Sequence, residues 1–167
     1  HRDLHSFPTR RSSDLNELMK AKKNYSIISE EDGSKINSDS ENVWIIDPID
    51  GTTNFLHGVP HFAISIALKS NNEIVSGLIY DPIKDEMFYA EKNNGAFFNN
   101  QRIKVSKKKD LGSCLFGTGG KKKIEVDLIT RKSGNAALDM ADVTAGRYER
   151  SEEQTSELQS HPNLVCR

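Results

Sequence analysis

Short runs in which apolar and polar residues alternate fill the middle of this chain. Five such runs follow one another within Phe62–Val105, and alternation with a period of two is typical of half-buried β-strands. The stretches between the runs carry the Asn, Asp and Gly residues that favour hairpin turns, at residues 71–72, 81–85, 93–95 and 99–100. The pattern therefore predicts an antiparallel meander of five short strands.

Two more strands are predicted ahead of the meander. Tyr25–Ser29 and Val43–Ile46 are short β-prone runs, and each leads directly into carboxylates. Residues 16–23 have the composition of the end of a helix, and residues 51–56 that of a single helical turn. If the two strands are neighbours in the sheet, the carboxylates that follow them face each other.

Downstream of the meander the pattern becomes more helical. Leu115–Phe116 predicts one more strand, and the apolar spacing within residues 124–129 indicates a short helix. Asn135–Ala145 predicts a better-defined helix, with Asn135 as its N-cap and Gly146 as its stop signal. Helices that flank an antiparallel sheet place the chain in the α+β class.

The two ends of the chain do not match this pattern. Residues 7–15 read as the translation of a common short-read sequencing adapter, and residues 150–160 resemble the opposite adapter. Neither end shows apolar periodicity. We therefore predict that residues 1–15 and 150–167 are non-native tails and that residues 16–149 form one partial domain. Genomic sequence that reproduced these codons across either junction would refute this prediction.

Composition restricts the partners of the chain. The 23 Lys and Arg residues nearly balance the 24 Asp and Glu residues, so no positive field attracts nucleic acid or an anionic membrane. No apolar run approaches the length of a membrane span. Cys114 is the one cysteine outside the suspected tails, which excludes an internal disulfide within residues 16–149. These features predict a cytoplasmic protein.

The most informative chemistry follows the strand that ends at Ile46. Asp47 and Asp50 lie three residues apart, and Pro48 fixes one backbone angle between them. Gly51 permits a turn and a close approach to the backbone, and the helical turn after it offers N–H groups that suit a phosphate. Carboxylates at turns are often only turn formers, but this context favours a divalent-metal site beside a phosphate.

Two neighbouring groups extend this hypothesis. Glu30 follows its strand as Asp47 follows the other, and Mg²⁺ sites combine a few carboxylates with water; a solvated loop is the alternative interpretation. The Thr52 hydroxyl is placed to orient an attacking water or to cap the helical turn, and these roles do not exclude each other. Asp139 and Asp142 share one helix face and are predicted to face solvent rather than a metal.

The segment Asp47-Pro-Ile-Asp-Gly-Thr-Thr-Asn54 resembles the signature of the inositol monophosphatase family, which consists of Mg²⁺-dependent phosphomonoesterases. The similarity continues at residues 27–31, 57–67, 77–82, 94–98 and 133–139, so it covers nearly all of residues 16–149. The resemblance implies a layered αβαβα sugar-phosphatase fold, usually in a homodimer. This chain would be a truncated version, with most of the first sheet and the beginning of the second layer.

The resemblance also implies a set of site residues. Mg²⁺ would be held by three carboxylates and one backbone carbonyl, those of Glu30, Asp47, Asp50 and Ile49. Phosphate would be bound by the backbone N–H groups of Gly51 and Thr52, and the Thr52 hydroxyl would help to activate water. Substrate contacts are further predicted for Glu30, Ile49 and Asp50 and, at the sugar or inositol ring, for Gly134, Asn135 and Ala136. The predicted catalytic residues are Asp47 and Thr52.

Three features of the family are not matched. The family supplies another metal-binding Asp from a Trp-Asp motif that would lie beyond residue 149, and a water-assisting Asp from a Thr-x-x-Asp segment that would lie before residue 16. Asn135 stands where Ser or Thr is usual. The first two of these losses lead us to expect that the chain as written is impaired as a catalyst.

The leading functional prediction is Mg²⁺-dependent hydrolysis of a small phosphorylated polyol or sugar, such as inositol-1-phosphate. The core motif does not separate this activity from that of a 3′(2′),5′-bisphosphate nucleotidase or a histidinol-phosphatase, which stay alternatives. A third alternative is a non-catalytic regulatory partner of the transcription machinery.

Overall fold

The structure, a computed structural model, describes residues 25–30, 33–35, 39–108, 110–118 and 129–151. Most of these residues belong to one large sheet. Its eight strands are, in chain order, Tyr25–Ser29 (β1), Gly33–Lys35 (β2), Asp39–Asp50 (β3), Ala63–Ser70 (β4), Glu73–Asp81 (β5), Glu86–Glu91 (β6), Gly95–Phe98 (β7) and Gln101–Arg102 (β8). Their order across the sheet is β2-β1-β3-β4-β5-β6-β7-β8. β1 and β3 are parallel, and the other neighbouring pairs are antiparallel.

The strands β4 to β8 are the predicted five-stranded meander. The turn between β5 and β6 contains Asp85, with a φ of 55°, and the other three turns contain asparagines. Five of these have a positive φ between 42° and 66°, namely Asn71, Asn72, Asn93, Asn99 and Asn100. Asparagine tolerates this left-handed region better than other residues that have a Cβ. The turn signals in the sequence therefore acted locally, and the prediction of the meander is confirmed.

A second, smaller sheet is formed by strands that follow β8 along the chain. It contains Leu115–Gly117 (β9), Ile129–Arg131 (β10) and Arg150–Ser151 (β11), in the order β10-β9-β11 with both pairs parallel. The predicted helix over residues 124–129 is wrong at Ile129, which is in a strand; the β-branched pair Ile129-Thr130 suits pairing with β9. The remainder of that helix, like the one predicted at residues 16–23, lies outside the described residues.

The strand β11 falls in the segment that the sequence assigned to a non-native tail. Arg150 pairs with Phe116 and Ser151 with Gly117, and Ser151 is buried. This pairing describes the conformation of two residues and does not bear on their origin. The division of the chain into tails and a central domain therefore stays a prediction.

Two α-helices, Thr52–Leu56 (α1) and Ala136–Thr144 (α2), are formed within the described ranges. In α2 the side chain of Asn135 accepts a hydrogen bond from the N–H of Leu138 at 2.6 Å, which is the predicted N-cap. Gly146 has a φ of 74°, and the N–H of Arg147 beyond it donates to the carbonyl of Asp142. Both predicted end signals of α2 are confirmed.

The helix α2 packs against β4 and β5. Its apolar residues are buried together with Ala63 and Phe88 of the large sheet. Asp139 is also buried, with 1% of its surface exposed, so the prediction that it faces solvent is wrong. It packs so tightly against β9 that a Cβ on Gly117 would lie 3.1 Å from its carboxyl carbon. Asp142 is partly exposed and pairs with Arg147.

Arg147 connects the end of α2 with strands β6 and β7 of the meander. Its guanidinium donates to both carboxylate oxygens of Glu86 at 2.9 Å and to Asp142 at 2.9 Å. The same group lies 4.8 Å from the ring centroid of Phe98. Paired charges and a cation–π contact thus hold the helix on the sheet. Within the described residues, neither helix is long and apolar enough to cross a membrane.

Candidate metal and phosphate site

The parallel pairing of β1 with β3 brings two carboxylates together. Ser29 is the register partner of Ile46, and the N–H of Glu30 donates to the carbonyl of Ile46 at 3.2 Å. Glu30 and Asp47 therefore lie next to each other at the same end of the parallel strands β1 and β3. Their carboxyl groups are close enough for Glu30 to contribute to the raised pKa of Asp47. The two strands are neighbours, and Glu30 faces Asp47 as expected.

The turn after Asp47 is held by its own side chains. The pairing of β3 with β4 shifts register between Asp47 and Asp50, and such an irregularity re-aims side chains at the end of a strand. Asp47 Oδ1 accepts the N–H of Ile49 at 3.0 Å, while the Thr52 hydroxyl donates to the carbonyl of Ile49 at 3.0 Å. Three of the predicted site residues thus form one compact turn.

Asp50 is fastened to the start of α2. Its Oδ2 accepts the N–H of Ala137 at 2.6 Å, and its carboxylate also accepts the N–H of Gly51. Its backbone carbonyl accepts Nδ2 of Asn135 at 2.7 Å. An ionised carboxylate has about four lone-pair positions, so these two N–H bonds leave Asp50 with capacity for a metal.

Burial of the two aspartates dominates the electrostatics of the site, and the crowding of the carboxylates adds to it. Burial raises the pKa of Asp47 to about 6; the N–H of Ile49 opposes this shift, and the negative charges of Glu30 and Asp50 add to it. Burial likewise raises the pKa of Asp50 against the N–H groups of Ala137 and Gly51. The arrangement concentrates negative charge that only a cation or a proton relieves.

The donor set fits a hard divalent cation in its chemistry. Carboxylate and carbonyl oxygens are the ligands of Mg²⁺, and Glu30, Asp47, Asp50 and the carbonyl of Ile49 supply them. Among the described residues, however, no group of three or more His, Cys, Asp or Glu side chains is arranged closely enough to hold a metal ion as it stands. The oxygens lie at the same end of β1 and β3, but the Asp50 carboxylate is hydrogen-bonded to the start of α2.

The predicted phosphate site lies at the start of α1, and its binding role stays a prediction. Gly51 is its N-cap, with a φ of 83°, and no side chain caps this helix. The alternative role of Thr52 as a capping residue is therefore not realised, because its hydroxyl is used on the carbonyl of Ile49. Thr52 is exposed, and the N–H groups of the first turn have no acceptor within the helix.

The predicted ring-contacting segment lies directly against α1. The Asn54 side chain donates to the carbonyl of Ser133 at 3.0 Å and to that of His61 at 2.9 Å. Gly134 has a φ of 75° and packs on Asn54, and Ala136 begins α2. Asn135 is 2% exposed, with both polar atoms of its side chain hydrogen-bonded inside the protein.

The fold thus brings together site residues from three separate segments, at residue 30, at residues 47–52 and at residues 134–136. Asn54 was not predicted to connect them. Its partner Ser133 is 79 residues away, and nothing in the local sequence indicates a link over that distance. The role of each residue in binding metal or substrate stays a prediction.

Comparisons with known proteins connect this geometry with one family. A model of the inositol monophosphatase family matches residues 7–151, a range that reaches into both suspected tails. The chain is 42% identical over 148 residues to an inositol-1-monophosphatase of Rhizobium meliloti, covering 80% of this chain and 56% of that protein. It is 37% identical over 147 residues to the Nus factor SuhB of Pasteurella multocida, covering 79% and 55%. The chain spans about half the length of the curated relatives it matches.

Solved structures agree with this relationship. The extragenic suppressor protein SuhB of Bartonella henselae superposes with a TM-score of 0.75 at 42% sequence identity, over 83% of this chain and 60% of that chain. The predicted α+β layered fold, similar to inositol monophosphatase and fructose-1,6-bisphosphatase, is therefore confirmed.

Proposed function

Because this chain belongs to the inositol monophosphatase family, we propose that it contributes the core of a phosphatase that hydrolyses a small phosphate monoester with Mg²⁺ as its cofactor. One observation carries this proposal. The carboxylates of Glu30, Asp47 and Asp50 meet the first turn of α1 at a single edge of the large sheet. Inositol-1-phosphate represents the class of substrate that we expect.

The carboxylates have a defined task in this proposal. Glu30, Asp47, Asp50 and the carbonyl of Ile49 would hold Mg²⁺, which when bound neutralises phosphate charge and lowers the pKa of a water molecule. The pKa of Asp47, raised first by burial and further by the charges of Glu30 and Asp50, supports this assignment, because a bound cation would stabilise the ionised carboxylate. The N–H of Ile49 keeps Asp47 oriented during binding.

The first turn of α1 would hold the phosphate. The N–H groups of Gly51 and Thr52 are the predicted donors, and a helix N-terminus favours an anion. The N–H of Gly51 lies close enough to the Asp50 carboxylate to lower its pKa, so the phosphate would compete with that carboxylate for this N–H or depend on Thr52. The absence of a Cβ at Gly51 makes room for the amide of Asn135, which leaves the N–H side of this turn to the phosphate.

Thr52 would orient the attacking water. Its hydroxyl hydrogen is donated to the carbonyl of Ile49, so the lone pairs of its oxygen are free to accept a hydrogen bond from a water molecule. In the reaction the water oxygen forms a bond to phosphorus on the side opposite the ester oxygen. The phosphorus–ester bond then breaks, and the alcohol leaves with a proton while inorganic phosphate remains.

The test is phosphate release from inositol-1-phosphate during a Mg²⁺ titration of the purified chain, with Asp47→Asn as control. Turnover that the substitution abolishes would support the proposal and contradict our expectation that the chain is impaired. The same assay on a version extended to the full length of the family decides the parent activity. Absence of Mg²⁺-dependent release from that version would refute the proposal.

Related activities and the cellular setting are part of the same proposal. Parallel assays with a 3′(2′),5′-bisphosphate nucleotide and with histidinol phosphate distinguish the nucleotidase and histidinol-phosphatase alternatives by relative turnover. We also propose a cytoplasmic, homodimeric parent protein, which sedimentation of the extended version would test.

A second candidate function is supported by the relatives named Nus factor SuhB. Here the fold would serve as a non-catalytic partner of the transcription machinery. Association of the extended version with RNA polymerase that survives Asp47→Asn would favour this role. Loss of all function with that substitution would instead favour catalysis.

A further inference from the structure

Two reciprocal contacts between asparagines and glycines connect the turn after β3 with the start of α2. A Cβ added to Gly51 would lie 2.8 Å from Nδ2 of Asn135, and a Cβ added to Gly134 would lie 3.1 Å from Oδ1 of Asn54. Both glycines have a positive φ, of 83° and 75°. These four residues, Gly51, Asn54, Gly134 and Asn135, are called the Asn–Gly joint below.

Each asparagine of the joint bridges two segments. Asn135 uses its Oδ1 to cap α2 at Leu138 and its Nδ2 to hold the carbonyl of Asp50. Asn54 donates to the carbonyls of Ser133 and His61. A serine at position 135 would retain the helix cap, but its single oxygen on a shorter side chain would not also replace the second, separate bond to Asp50.

The position of the Asp50 carboxylate therefore depends on where α2 begins. Asp50 Oδ2 accepts the N–H of Ala137 at 2.6 Å, and Ala137 lies two residues after Asn135. The amide of Asn135 fixes the backbone of Asp50 relative to the same turn of helix. Both the backbone and the side chain of Asp50 are thus held by the start of α2.

We propose that Asn135 is a positioning residue, which sets the Asp50 carboxylate for metal binding through the Asn–Gly joint. The metal part of this inference rests on the proposed function. The geometric part does not, because the link from Asn135 through Asp50 to the N–H of Ala137 exists without metal or substrate. Groups outside the first shell of ligands commonly change metal affinity by about 10–100-fold.

The geometric part is tested by amide hydrogen exchange, resolved by residue with NMR on the metal-free chain. In Asn135→Ser we expect the Ala137 N–H to exchange about tenfold faster, because its acceptor on Asp50 is no longer fixed and an order-1 kcal/mol hydrogen bond is weakened. The Leu138 N–H should keep its protection, since serine still caps the helix. The Ala145 N–H, bonded to Ala141, serves as internal reference.

Asn99→Ser is the matched control. Asn99 also bridges segments through its side chain, accepting from the N–H of Met87 at 2.8 Å, and its φ of 42° is unfavourable for serine. This variant should lose stability without a selective effect at Ala137. Unchanged exchange at Ala137 in Asn135→Ser, or an equal effect in Asn99→Ser, would overturn the proposal.

Titration calorimetry with Mg²⁺ alone tests the metal part. Asn135→Ser should bind at least about tenfold more weakly than the unsubstituted chain, whereas Asn99→Ser should bind equally. Faster exchange at Ala137 with unchanged affinity would overturn the positioning role. If the unsubstituted and full-length proteins both bind no Mg²⁺, the proposed function and the metal part fail, while the exchange result still decides the joint. If Asn135→Ser does not fold, Asn54→Ala removes the bonds to Ser133 and His61 but leaves the cap of α2 intact. Faster exchange at Ala137 in this variant is expected if the loop before α2 has to be held in place, and unchanged exchange would overturn the role of the joint.

Discussion

Replacing Gly51 with alanine tests how much the contact at this glycine contributes to stability. The added Cβ would meet Nδ2 of Asn135 at 2.8 Å and the carbonyl oxygen of His61 at 3.2 Å, and the φ of 83° is left-handed. A left-handed conformation costs an L-residue about 1–2 kcal/mol. Displacing the buried Asn135 amide from its hydrogen bond to Asp50 costs about 1–3 kcal/mol more.

One effect works in the opposite direction. Alanine restricts the unfolded chain more than glycine does, which returns about 0.4–1 kcal/mol where the native conformation is accessible. The net expectation for Gly51→Ala is a loss of about 2–4 kcal/mol in the free energy of unfolding. With an m-value of about 2 kcal/mol per molar urea, the unfolding midpoint falls by about 1–2 M.

Gly58→Ala is the control that separates backbone conformation from contact. Gly58 has a similar φ of 71°, but a Cβ there would have nothing within 4 Å. It should therefore lose only the backbone contribution, about 0.5–1 kcal/mol. Urea unfolding followed by circular dichroism measures both variants, provided that the m-values agree. Losses equal within about 0.5 kcal/mol would refute the reasoning, because the contact with Asn135 would then contribute nothing.

Three further changes have defined outcomes. Arg147→Ala should lower the free energy of unfolding in urea by about 1–2 kcal/mol, because partly exposed ion pairs and close ring contacts are lost. The control Arg102→Ala, with its ring contact at 5.9 Å, should lower it by about 0.5 kcal/mol. Equal losses in the two variants would contradict this reasoning. Burial alone would raise the pKa of Asp81, but hydrogen bonds from Lys84 and neighbouring N–H groups lower it below 3.8. Its stabilising contribution is therefore complete above that pH and is lost as the pH falls through the folded-state pKa, so acid titration of Asp81→Asn should show a shallower loss of stability below about pH 4. Asp47→Asn should remove any rise of Tm with Mg²⁺ without lowering the metal-free Tm, because burial disfavours this carboxylate; a clear fall of the metal-free Tm would be inconsistent with that reason.

The parts of the fold that were predictable from sequence are those in which neighbouring residues decide the structure. The asparagines at the hairpin turns adopt positive φ because of their own side chains, so the meander follows from them. The same holds for α2, whose N-cap Asn135 and stop Gly146 act within a few residues. The carboxylates of the site were recognisable because Glu30 follows β1 and because Asp47 and Asp50 follow an apolar run, although β3 continues past the predicted end at Ile46 to Asp50.

The remaining parts depend on contacts between distant segments. Ile129 is in a strand because β9 is available to pair with it, and this overrides a weak helical pattern. Asp139 is buried on the side of α2 that packs against Gly117 of β9, although its spacing on the helix also suits exposure. The bridge from Asn54 to Ser133 depends on how α1 and the loop before α2 pack, and no local signal encodes that.

The candidate site combines both kinds of information in one physical problem. Asp47 and Asp50 are partly buried and lie close to the charge of Glu30, which disfavours the ionised forms of the two aspartates. Backbone N–H groups offset this cost, and one of them belongs to Ala137, more than eighty residues along the chain from the Asp50 carboxylate that it contacts. A local motif can therefore supply the oxygens of a metal site, but only the docking of α2 sets the geometry of Asp50. For this reason we expect the Asn–Gly joint to limit how far α2 can change without loss of metal affinity.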